Sequence, residues 1–117
     1  MGISKEEYAF LSNLEKKVVD WLIKNKVPFT TQKSMFGGSM ELGGTIVDII
    51  LTERNIVLRV MGGYWHDTLG AIARDEFGKE QLINRGYIVV DLWEENLTDE
   101  KIEATMQLAL QGREALR

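Results

Sequence analysis

Apolar positions along this chain follow two periods, helical at both ends and strand-like in the middle. Leu11, Leu14, Val18, Trp21 and Leu22 recur at helical spacing and predict one helix over residues 5–25, closed by Pro28. Phe29 to Gln32 reads as a short strand. Residues 35–44 hold four glycines and read as a loop or flexible hairpin. The period then changes. Thr45 to Thr52 (TIVDIILT) is rich in β-branched residues and predicts a strand. Glu53-Arg54-Asn55 is a turn, and Ile56 to Met61 predicts a second strand paired to the first as a hairpin. Gly62-Gly63 breaks that strand. A helix follows from about Thr68 to Arg85, with Gly86 in the position of a C-cap. Tyr87 to Trp93 (YIVVDLW) is a further strand. The last helix is expected from Asp99 to Leu116, with Thr98 as N-cap and Asp99-Glu100 in the first turn. The order α-β-β-β-α-β-α predicts an α/β (α+β) fold, a central mixed sheet flanked by helices.

Against this pattern four ionisable residues are out of place. Glu15 lies on the apolar face of the first predicted helix, among Leu11, Val18, Val19 and Leu22. Asp48 interrupts Ile46-Val47 and Ile49-Ile50-Leu51. A charge buried there is costly unless it is paired or bound to a metal. Asp75 sits on the second long helix with Ile72 and Leu82 at helical spacing, and His66 follows a Gly-Gly-Tyr-Trp turn directly after a strand. Each also has an ordinary reading: Glu15 at the rim of the apolar face, Asp48 at a strand edge, Asp75 paired with Lys79 at i+4, and His66 as a structural histidine. Asp67 reads as a turn or N-cap residue, and Asp91 shares the strand parity of Val89 and Trp93.

With 117 residues, one domain over 1–117 is expected. Apolar residues at 44% and charged residues at 27% mark a globular composition. Without cysteine there is no disulfide scaffold, no Cys-based zinc site and no thiol chemistry. No run of ~18 apolar residues is present to span a membrane, and the first residues turn acidic without an apolar secretory core. A cytoplasmic location is therefore expected. The net charge is −4, with +2 over residues 1–36 and −6 over 37–117. Residues 91–103 hold six acids against Lys101 alone and read as a solvated loop and helix start. An acidic balance argues against tight nonspecific binding to nucleic acid.

The order of these residues carries a resemblance. Leu14-Glu15-Lys16-Lys17-Val18, followed by Val27-Pro28-Phe29-Thr30-Thr31-Gln32, resembles the opening of the very short patch repair endonucleases and their relatives. Val47-Asp48-Ile49-Ile50 is similar to their Asp-bearing strand. The stretch Asn55 to His66 resembles their next strand and Gly-x-aromatic-Trp-His turn. Arg74-Asp75, and then Gly86 to Glu94, are similar to their Arg-Asp helix and their final strand ending in Trp-Glu. The likeness covers roughly residues 11–95.

That resemblance implies a restriction-endonuclease-like, or PD-(D/E)XK, core and the branch whose signature is Glu, Asp, a variable residue, His and Asp. Here these fall on Glu15, Asp48, Val60, His66 and Asp75. It implies Mg²⁺ or Mn²⁺ at Asp48 and at the backbone carbonyl of Val60, since hard cations take oxygen ligands. His66 would be the general base, Asp75 would orient His66 or bind it as imidazolium, and Glu15 would hold metal-bound water. Tyr64 and Trp65 fall where the repair enzymes wedge into DNA, with packing at the sheet end as the plainer reading. Arg59 and Arg74 are candidate phosphate contacts. Two departures stand out. Arg59-Val60-Met61 replaces the Glu-x-Lys of the wider fold, and the repair enzymes' zinc site is absent.

The expected function is a metal-dependent DNA endonuclease, very short patch repair-like or homing-endonuclease-like. It would act as a homodimer or with a partner DNA-binding protein, since an acidic chain grips DNA weakly by itself. One alternative is a nuclease fold without catalysis, serving nucleic-acid binding or assembly. Another is a protein-interaction domain with no nucleic-acid role.

Overall fold

The computed structural model describes residues 3–31, 48–62 and 69–116; for Asp48 and residues 69–75 the description is of the backbone. Among the described residues the elements are α1 (Lys5–Ala9), α2 (Asn13–Lys24), β1 (Thr30–Thr31), β2 (Asp48–Leu51), β3 (Ile56–Met61), α3 (Leu69–Asn84), β4 (Ile88–Trp93) and α4 (Ile102–Ala109), with a 3-10 turn at Glu94–Asn96. The strands form one mixed sheet in the order β1-β2-β3-β4. β1–β2 and β2–β3 are antiparallel, and β3–β4 is parallel. Parallel neighbours need a crossover, and α3 supplies it.

Where the sequence predicts one helix over 5–25, there are two. Ser12 breaks it: its Oγ accepts from the Glu15 backbone N–H (3.2 Å), while the Glu15 carboxylate accepts from the Ser12 N–H (2.7 Å). This reciprocal capping box satisfies two donors that a helix start leaves open. The break was legible as Ser12-x-x-Glu15. α1 is capped by Ser4 and tied to β1 through Thr31 Oγ1, which donates to Glu7 at 2.8 Å. α2 ends in a Schellman closure, Val27 N–H to Leu22 O and Lys26 N–H to Ile23 O, with Lys26 in the left-handed region at φ 57°. α3 closes the same way around Gly86, φ 94°, as expected.

The last helix is shorter than the predicted 99–116. Thr98 O accepts from Lys101 and Ile102, regular helix runs only over Ile102–Ala109, and the chain turns at Gly112, φ 76°. Residues 113–116 then run without helix beside β4. The expected strand 45–52 is observed from Asp48 to Leu51; residues 45–47, like the Gly-rich 35–44, lie outside the described residues.

Strand parity sorts the two faces. Ile49, Leu51, Ile56, Leu58, Val60, Val90 and Leu92 face α2 and α4 and join Val18, Val19, Leu22, Leu97, Met106 and Ala109 in the main core. The Trp21 indole N–H ties α2 to α4 through the Glu103 carboxylate at 2.9 Å. Hydrogen bonds from Gln107 first, then Trp21, hold the Glu103 carboxyl below its ordinary value. The other face carries Ile50 and Val57, covered by Leu82 of α3, with Tyr87 and Val89 packed alongside. No helix among the described residues is long and apolar enough to cross a membrane.

Candidate functional site

Among the described residues, the backbone positions of Asp48 and Val60 and the start of the helix that bears Glu15 lie toward one end of the sheet. Asp48 opens β2, and Val60 lies at the far end of β3, whose last residue, Met61, is the partner of Trp93 at the end of β4. The start of α2 sits at this end as well: Lys17 Nζ donates to Leu97 O at 3.0 Å, just beyond the turn that follows β4. α3 begins at Leu69, soon after Met61, and returns to the opposite end at Gly86. There the Asn55 side-chain amide donates to Gly86 O, and the Ile88 N–H donates to Asn55 O.

Glu15 is buried, and its carboxylate serves the capping box. It belongs to α2, on the face opposite to the one that Asp48 shares with Ile50 by parity. Val60 turns its side chain into the main core, so only its backbone is available to a ligand. Asp75 lies on α3, four residues before Lys79 and seven before Leu82, both of which meet residues of the sheet. His66, Tyr64 and Trp65 lie outside the described residues, and Arg74 is described by its backbone alone.

Arg59 requires a correction. A phosphate contact needs an accessible guanidinium, and this one is 3% exposed. The ladder sets Arg59 opposite Asp48 on β2 and opposite Asp91 on β4, one row across three strands. Its Nε stands 3.7 Å from Asp91 Oδ1. Asp91, itself 6% exposed, is also met from α3 by Lys79 Nζ at 3.4 Å from Oδ2. Lys79 in turn reaches Glu114 at 3.8 Å, and Glu114 accepts from the Asp91 backbone N–H at 3.0 Å. The C-terminal segment thereby satisfies an edge-strand donor that would otherwise be open to another chain.

Asp91 was missed as the centre of a buried network because it was read within an acidic, solvated stretch. A signal existed. Arg59 and Asp91 are each the one charge in a six-residue apolar run, both at its fourth position. Strands joined by a helical crossover lie side by side, so equal positions bring opposite charges together.

A cavity of about 460 Å³, lined by Leu22, Ile23, Lys26, Val27, Pro28, Phe29 and Thr52, lies at the other end of α2, away from Glu15. Among the described residues no three His, Cys, Asp or Glu side chains form a metal-holding group.

Comparison with known proteins finds no matching family model, no matching curated protein and no matching solved structure.

Proposed function

We propose that the chain is the core of a metal-dependent DNA endonuclease of the restriction-endonuclease-like kind, using Glu15, Asp48, Val60, His66 and Asp75. One observation carries the reading. The start of α2, the start of β2, the end of β3 and the first half of α3, which bear four of the five residues, converge at one end of a mixed sheet.

The donors suit a hard cation in kind: carboxylates and a backbone carbonyl. Charge is where the fit fails, because a positively charged residue, Arg59, stands directly opposite Asp48 in the ladder. The same observation favours a second reading, a nuclease-like fold that binds nucleic acid or assembles with a partner without cleaving. With a net charge of −4, either reading leaves much of the DNA grip to a second copy or a partner protein.

The test is nicking of supercoiled plasmid with and without Mg²⁺ or Mn²⁺. The expected result is metal-dependent nicking by the wild type that disappears in Asp48→Ala and in His66→Ala. Folded wild-type protein that leaves the plasmid intact with either ion sinks the nuclease reading in favour of the second.

A further inference from the structure

The described sheet ends at two edges, and they are protected differently. β1 is two residues long and lies beside α1, to which Thr31 is tied through Glu7. β4 is the longer edge, six residues reading Ile-Val-Val-Asp-Leu-Trp. Edge strands commonly resist pairing through brevity, proline, lysine or a bulge. β4 has no proline and no lysine, its register with β3 is unbroken, and its one charge is already met by Lys79. Parity fixes which of its backbone groups face outward. The Ile88 N–H donates to Asn55 O on the β3 side, so Ile88, Val90 and Leu92 turn their backbone groups inward. Those of Val89 and Asp91 turn outward, and the Asp91 N–H duly donates to Glu114 at 3.0 Å. A side chain from residues 113–116, and not a ladder carbonyl, meets that donor. The closure of α4 aims the segment there: Gly112 N–H donates to Ala109 O and Arg113 N–H to Leu108 O. It starts close against the strand, since a Cβ on Gly112 would stand 3.2 Å from Ile88 Cγ2. Its further ties are long: Lys79 Nζ is 3.8 Å from Glu114, and the Asn96 amide is 3.5 Å from Ala115 O.

We propose that the β4 edge is a pairing surface for a second copy of this chain, and that residues 113–116 hold it closed through Glu114. The strand complements itself. Set antiparallel about a two-fold axis at Val90, Val89 and Asp91 of one copy exchange backbone hydrogen bonds with Asp91 and Val89 of the other. Val90 then lies opposite Val90, and Ile88 opposite Leu92. No two acids stand opposite each other, whereas a register centred on Asp91 sets like charges together. Ile88, half exposed in the single chain, is covered in the pair. Glu114 and a second strand compete for the same Asp91 N–H, so the segment must leave before the pair forms. The inference is independent of the nuclease reading.

The experiment is sedimentation equilibrium of the full chain over a range of concentrations. It compares wild type, Glu114→Ala, Glu114→Lys and Glu114→Gln, each first shown to melt cooperatively. Glu114→Ala removes the acceptor, and Glu114→Lys also sets a like charge against Lys79. Glu114→Gln keeps an oxygen for the Asp91 N–H. The expected result is self-association roughly tenfold or more tighter in Glu114→Ala and Glu114→Lys than in wild type, and wild-type behaviour in Glu114→Gln. The gain should vanish when Val89→Pro is added to Glu114→Ala, since proline there removes an outward donor and spares the ladder to β3. Ile88→Lys, a charge at the half-exposed edge position, takes its place if that variant does not fold. Wild-type association in whichever of Glu114→Ala and Glu114→Lys folds overturns the proposal. So does a gain that survives the change in β4, or a gain in Glu114→Gln as large as in Glu114→Ala.

Discussion

The two faces of this sheet are built on different principles. Toward α2 and α4, side chains from three strands and two helices close a continuous apolar core, with Leu58, Val90 and Leu92 almost without solvent contact. Toward α3, the apolar contribution is small, Ile50, Val57 and Leu82, and the same face continues into the charged row and its partners Lys79 and Glu114. One face gains from water exclusion. The other spends part of its buried area on ions, which rarely stabilise a fold more than apolar residues of the same size. The difference suggests which face is committed to stability and which retains polar groups for another purpose.

The comparison breaks if equal truncations cost the same on both faces. Leu58→Ala leaves a cavity walled by two helices and the sheet, and should cost about 4 kcal/mol, against about 2 kcal/mol for Leu82→Ala, where one helix can settle onto the strands. Urea unfolding of both variants measures the pair. Equal losses, or a larger loss at Leu82, would mean that α3 closes a core as demanding as the other.

A second test bears on the charged side alone. Asp91→Ala removes the acid that Arg59 and Lys79 share and should cost about 3 kcal/mol, because the buried guanidinium loses this carboxylate. Arg59→Met should cost less, since Lys79 still matches Asp91. Residues in one ion network do not add, so a double-mutant cycle should show coupling of about 1 kcal/mol or more. Strict additivity would mean that the 3.7 Å approach of Arg59 to Asp91 contributes nothing to stability.

Much of this division was legible from local pattern. β3 appears at its predicted bounds, α3 and β4 within a residue of theirs, and Gly86 takes the left-handed closure assigned to it. Those segments combine strong periodicity with an unambiguous stop. The helix split at Ser12 was missed because Leu11 and Leu14 keep helical spacing across it, so hydrophobic period outvoted a capping signal two residues wide. The last helix was overextended for a tertiary reason: Glu114 and Ala115 are drawn back along β4 to meet Asp91 and Asn96, contacts that no local window contains. For the candidate site, the described backbone sets Asp48 and Val60 toward one end of the sheet, and His66 lies outside the described residues. The faces on which they stand, and the row through Arg59, depend on register between strands far apart in the chain.

The smallest effect concerns Glu15, which is both a helix cap and a candidate site residue. Ser12→Ala removes one half of the capping box and should cost about 1 kcal/mol of stability. Glu15→Gln should cost less, because its amide oxygen can still accept from the Ser12 N–H and only the favourable charge at the helix start is lost. The two variants separate the roles by thermal melts and plasmid nicking on the same preparations. If Glu15 is a cap alone, Ser12→Ala is the more damaging change in the melt, and Glu15→Gln nicks as the wild type does. A Glu15→Gln protein of near wild-type stability that no longer nicks would assign its carboxylate to the chemistry. It would also show that an acid on the apolar side of the sheet acts together with Asp48 on the charged side.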